Sequence, residues 1–153
     1  MKGKTPPPPP SRLPLIMAGL GVLGLGVSIY LTLIHYSSVP LVCLGTTGCE
    51  EVNRSIYSEV AGVSVALLGA GAYLTILAAL WAESRLIIKN TEAILALFGV
   101  SLAGVLYSAY LTSVELFVLG AICIWCVISA LTITAIFVLA AIRLRDLLRA
   151  GVP

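Results

Sequence analysis

Four long apolar runs separated by short polar stretches set the rhythm of the chain: about Leu13 to His35, Val63 to Ala82, Thr91 to Val114 and Leu116 to Ile142. Each is near or above the roughly 20 residues an α-helix needs to cross a bilayer. Acidic and basic side chains sit only near the ends of these runs. Glycines punctuate the first three, which would weaken a helix in water but lets helices approach closely in a membrane. The pattern predicts an all-α, four-helix transmembrane bundle with an external loop from about Tyr36 to Gly62. In that loop Glu50, Glu51, Asn53, Arg54, Ser55 and Tyr57 follow Cys49 with a helix-like mix. They predict a short amphipathic helix between helices 1 and 2, lying on the membrane as a lid.

Composition agrees with the membrane reading. At 153 residues there is room for one domain, and 59% hydrophobic with 10% charged residues is far from the balance of a soluble one. The opening MKGKTPPPPPSRLP is low in complexity, so residues 1–12 are expected to be a disordered, proline-rich cytoplasmic tail and residues 13–153 the membrane domain. A cleaved signal peptide is disfavoured, because the first apolar run is too long and lacks a small-x-small cleavage site.

Charge placement sets the expected orientation. With the N-terminus inside, Lys2, Lys4, Arg12, Arg85, Lys89, Arg143, Arg145 and Arg149 all face the cytoplasm and only Arg54 faces out. Both termini are therefore expected on the cytoplasmic side of the cell membrane. The net charge of +2 is spread over the membrane flanks, which excludes a nucleic-acid-binding stripe.

That topology gathers all the cysteines at one membrane face, the oxidising one. Cys43 and Cys49 enclose LGTTG in the external loop, and Cys123 and Cys126 stand at the start of the fourth span, after a turn around Glu115 to Gly120. A C-x-x-C pair at a helix start can bring its Cα atoms within the approximately 4.4–6.8 Å of a disulfide. The helix N-terminus favours a thiolate there, while burial opposes it. The two glycines of LGTTG make a hinge that would let one sulfur swing towards Cys123, as a thiol–disulfide relay requires. Two static disulfides holding a four-span scaffold are the rival reading. A zinc site is disfavoured by the ligand spacing, and haem attachment by Val127 where a histidine is needed. A transporter or channel finds no buried charge pair or inverted repeat.

Other polar residues have plainer expectations. Trp125 and His35 read as interfacial groups, Tyr107 and Tyr110 as packing and interface aromatics, and Glu115 as a solvated turn residue that could orient the approach to Cys123.

The stretches CLGTTGCEEVNRSIYSEVAGVSVALLGAGAY and AYLTSVELFVLGAICIWC resemble the vitamin K epoxide reductase family in its prokaryotic form. The resemblance extends from about Leu13 to Leu144. It implies a membrane enzyme that reduces a quinone, of menaquinone or ubiquinone type, and oxidises a thioredoxin-like (DsbA-like) thiol protein that makes disulfides in exported proteins. By the same resemblance Cys126 meets the quinone, Cys123 is its disulfide partner, Cys49 exchanges with Cys123, and Cys43 faces the partner's thiol.

Three departures qualify the match. The fused thioredoxin-like domain of many bacterial members is not present before Pro153, implying a separate partner. The quinone-contacting tyrosine of the animal enzymes is matched by Ala130. Their asparagine at the start of the second span falls near Ser64 and Val65. A plain quinone is therefore expected as substrate in place of an epoxide. Such a site, joining a lipid-soluble acceptor to a dithiol, belongs between helices at the membrane edge, with Cys126 one turn deeper than Cys123 and Ile122, Ser129 and Ala130 on the wall.

Overall fold

The computed structural model describes residues 12–43 and 48–151. Four long helices dominate it: α1 (Arg12–Tyr36), α3 (Val65–Ser84), α4 (Asn90–Val114) and α5 (Ile124–Arg149), with a five-residue helix α2 (Cys49–Asn53) between the first two. All four long helices have the length and apolar composition of membrane spans. They run up, down, up and down in a closed ring, α1 packing on α3 and α5, and α4 on the same two neighbours. The expected tail falls outside the described residues except for Arg12, which opens α1, and residues 44–47 of the expected hinge fall outside them as well.

Because lipid is as apolar as the side chains, burial alone does not hold such helices together and close packing must. At Gly24 a Cβ would lie 2.2 Å from the Tyr73 ring, and at Gly104 it would lie 2.7 Å from Ile133 Cγ1. These two glycines let α3 sit against α1 and α5 against α4. Mid-bundle, Met17, Tyr73, Ile76, Leu97, Ile133 and Ile136 form one buried cluster. Leu15, Ile16, Val22, Leu23 and Leu33 of α1 stay exposed on the outer face, where they contact the bilayer.

The two ends of the bundle are closed differently. At the arginine-rich end a tight turn joins α3 to α4: Ile87 N–H donates to the Ala82 carbonyl at 2.9 Å, and Leu86 takes a left-handed φ of 57°. There Arg143 of α5 pairs with the Glu83 carboxylate of α3 and also donates to Asn90 Oδ1 of α4 at 3.3 Å. Three helices are thereby clipped together.

The cysteine end is irregular, and three expectations change. The second span begins at Val65, not Val63, because Glu59–Val60 and Val63–Ser64 pair as a small antiparallel hairpin, β1 and β2, turning through Ala61 (φ 53°) and Gly62 (φ 80°). The lid is not one helix through Tyr57. α2 stops at Asn53, and a 3₁₀ turn at Ile56–Ser58 leads into the hairpin. The fourth span begins at Ile124, beside the cysteines as expected although the apolar run opens at Leu116, but the segment before it is not a simple turn. Residues Glu115–Leu119 instead continue α4 as a π-turn. Gly120, at φ 61°, ends it as Ala121 N–H donates to the Glu115 carbonyl at 3.1 Å.

Candidate functional site

The cysteine end is built from segments far apart in sequence. Cys49, the first residue of α2, and Cys123, the residue capping α5, are both buried in a cluster with Val27, Leu31, Ile34, Leu41, Val52 and Ala121. Cys43 and Cys126 pack against that same cluster and are half-buried. All four sulfurs therefore share one patch of core.

The close approach has a steric basis. Gly48 precedes Cys49, and a Cβ there would lie 2.7 Å from Ala121 Cβ and 2.9 Å from the backbone nitrogen of Ile122, just ahead of Cys123. Its own φ of −91° is ordinary, so space, not backbone freedom, calls for glycine. A second tie flanks Cys43. Val42 N–H donates to Tyr30 Oη at 3.4 Å, while the Val42 carbonyl accepts from Trp125 Nε1 at 2.9 Å. The Trp125 and Tyr30 rings meet at 5.0 Å. Trp125, expected as a simple interface anchor, thus straps the loop approaching Cys43 to the middle of the C-x-x-C.

Glu115 is the largest departure from expectation. It is not a solvated turn residue: it is 4% exposed, because the π-turn carries it beneath the segment leading to Cys123. Its Oε2 accepts the Cys123 backbone N–H at 3.3 Å, and it lines the same cavity as the Cys126 side chain. Cys126 is hydrogen-bonded to Cys123.

Cys123 stands at the helix start, where backbone N–H groups point at it. The hydrogen bond from the Cys126 thiol lowers its pKa to about 7, with help from the backbone N–H groups of Cys126 and Trp125. Burial and the nearby Glu115 carboxylate push the other way.

Beside the C-x-x-C lies a cavity of about 260 Å³, near the small end of ligand pockets, which begin at roughly 300 Å³. Every long helix contributes to its wall: Ser28 and Leu31 from α1, Val65 to Tyr73 from α3, Gly104 to Thr112 from α4, and Cys126, Ser129, Ala130 and Ile133 from α5. Val52, Asn53 and Tyr57 roof it, and Glu115 lies at its edge. Of the expected pocket residues, Cys126, Ser129, Ala130 and Val65 line it. Ser64 and Ile122 do not. Ser64 is buried ahead of α3, its N–H donating to Tyr36 Oη at 3.4 Å. Ile122 precedes the helix start, so it shares no helical face with Ser129.

Sequence reasoning missed several wall residues. Tyr73 hydrogen-bonds the carbonyl and hydroxyl of Ser129 at 3.0 and 3.1 Å, fixing that wall. Tyr107 lines the cavity, whereas Tyr110 is exposed. His35, whose side chain is 8% exposed, ties the roof down, with Nδ1 at 2.8 Å from the Asn53 carbonyl and Nε2 at 3.0 Å from Glu59 Oε1. The signal that could have found these residues was polarity inside apolar runs.

A search of curated proteins finds no match. The model of the vitamin K epoxide reductase family matches residues 15–141, a stretch containing all four cysteines and most of every span. Proteins of that family use quinones as electron partners. The chain belongs to the vitamin K epoxide reductase family and is a multi-pass membrane oxidoreductase.

Proposed function

We propose that the protein is a thiol:quinone oxidoreductase that reduces a plain quinone of menaquinone or ubiquinone type and oxidises a thioredoxin-like dithiol protein serving disulfide formation in exported proteins. The observation that carries this reading is the placement of all four cysteines in one cluster, with Cys126 on the wall of an apolar cavity. The cavity suits a flat ring: its surface is mostly apolar, and Ser129, Tyr73 and Tyr107 are among the polar residues that line it. Both termini are read as cytoplasmic and the cysteine end as external, following the basic residues at the opposite end.

The relay balances as two exchanges and one oxidation. The partner's dithiol reduces a Cys43–Cys49 disulfide. Cys49 thiolate attacks Cys123 in a Cys123–Cys126 disulfide, releasing Cys126. Cys43 then attacks Cys49, which re-forms the loop disulfide and frees Cys123. Reoxidation of Cys123 and Cys126 to their disulfide sends two electrons to the quinone, which leaves as hydroquinone with two protons. The chain's own contributions are a Cys123 sulfur poised to ionise near neutrality, Cys126 on the cavity wall, and a roof held by His35.

The test is turnover by purified protein given a reduced thioredoxin-like protein and a plain quinone. Hydroquinone should appear with the wild type and be abolished in Cys126→Ala. Normal turnover by that variant would remove the assignment. Stability losses in single cysteine variants, with no mixed disulfide trapped, would point to a static scaffold.

A further inference from the structure

Among the described residues, one buried ionisable group beside the reacting sulfurs has no part in the electron relay. We infer that Glu115 is a catalytic residue of the quinone half-reaction: its carboxylate takes the Cys126 thiol proton and hands it to a quinone oxygen as the Cys123–Cys126 disulfide forms. The inference rests on the quinone reading above and adds the path of one proton.

Geometry supplies the argument. Glu115 lines the same cavity as Cys126, which stands three residues along the chain from the Cys123 that Glu115 holds. Its Oε2 is anchored on the Cys123 N–H, so it is held beside both sulfurs. A carboxylate 4% exposed at a membrane edge is costly to bury, and burial of that kind is a mark of function. The other ionisable groups facing the cavity are Tyr57 from the roof, Tyr73 from α3 and Tyr107 from α4. None of these is a carboxylate, and none is tied to the backbone of Cys123 as Glu115 is.

The proton balance calls for such a group. Starting from a Cys123 thiolate and a Cys126 thiol, the S–S bond forms, the S–H bond of Cys126 breaks, and two electrons pass to the quinone. Hydroquinone needs two protons. One is the Cys126 proton, routed through Glu115, and the other comes from water. Glu115 ends each cycle as the carboxylate it began as.

Single-turnover mixing of dithiol-form protein with a plain water-dispersible quinone tests this, reading hydroquinone by absorbance and the Cys123–Cys126 disulfide by peptide mass. Glu115→Gln retains an oxygen to accept the Cys123 N–H but cannot take a proton, so both products should form about 100-fold more slowly. Glu115→Asp, which restores the carboxylate, should recover part of that rate. A solvent deuterium effect seen in the wild type should change in the Gln variant. Wild-type turnover with an unaffected Gln variant overturns the inference alone, as does a pair of variants equally slow despite wild-type melting temperatures. A wild type that forms no hydroquinone sinks the quinone reading beneath it.

Discussion

The two ends of this bundle cap the same four helices by opposite means. At the arginine-rich end, a short turn and the Arg143–Glu83–Asn90 clip close the structure, with regular helix to Ser84 in α3, from Asn90 in α4 and to Arg149 in α5. At the cysteine end, a five-residue helix, a 3₁₀ turn, a hairpin and a π-turn replace regular helix. Each interruption there delivers a group to the site. The π-turn buries Glu115, the hairpin presents Glu59 to His35, and the break before α5 leaves Cys123 in front of free helical N–H groups. One end is built for cohesion and the other for chemistry, so substitutions at the two should separate stability from turnover.

The largest effect is expected at the arginine end. Glu83→Gln leaves the Arg143 guanidinium buried with its charge uncompensated, which should cost about 3 kcal/mol or more. Thermal unfolding in detergent would show the loss, with quinone turnover per folded molecule unchanged. A fall in turnover of the folded protein would mean that the two ends are coupled.

Next comes Gly48→Val at the cysteine end. Its side chain would press Ala121 and Ile122 away from Cys49. Misplacement of reacting atoms on that scale should slow partner-driven turnover roughly thirtyfold. Quinone reduction by protein whose Cys123 and Cys126 have been reduced chemically should stay close to wild type, because the cavity is untouched. Equal losses in both assays would show that Gly48 supports the whole end, not the meeting of the two pairs.

The smallest effect concerns pH. With a folded pKa lowered to about 7, the thiolate fraction of Cys123 rises as pH climbs through that value, and alkylation of reduced protein should follow it. Cys126→Ala removes the hydrogen bond that contributes most to the lowering, so the alkylation midpoint should move to higher pH. An unmoved midpoint would assign the lowering to the helix start alone.

How much of this was legible in the sequence follows from the length scale of each signal. A span is written in some twenty apolar residues, and the four long helices stand where the runs lie, with ends moved by a few residues. The C-x-x-C was visible because both members sit one helical turn apart. Burial of Glu115 was not visible: an acidic residue between an apolar run and Gly120 reads as an exposed turn, and only the π-turn and its tie to Cys123 reverse that. The hairpin escaped notice because its strands are two residues each and Ala61 fills a left-handed position where asparagine or glycine is the usual signal. The strap from Trp125 to Val42 joins residues 83 positions apart, beyond the reach of any local pattern.

Since the cavity draws a wall from every long helix, it has no precursor during synthesis. Cys43 and Cys49 leave the ribosome early, while the α5 wall and both thiols of the C-x-x-C arrive only later, once that segment is made. Until that segment is inserted and docks against its neighbours, the cavity beside Cys126 is missing a wall, so an acceptor of the proposed kind has no place to bind in a half-built chain.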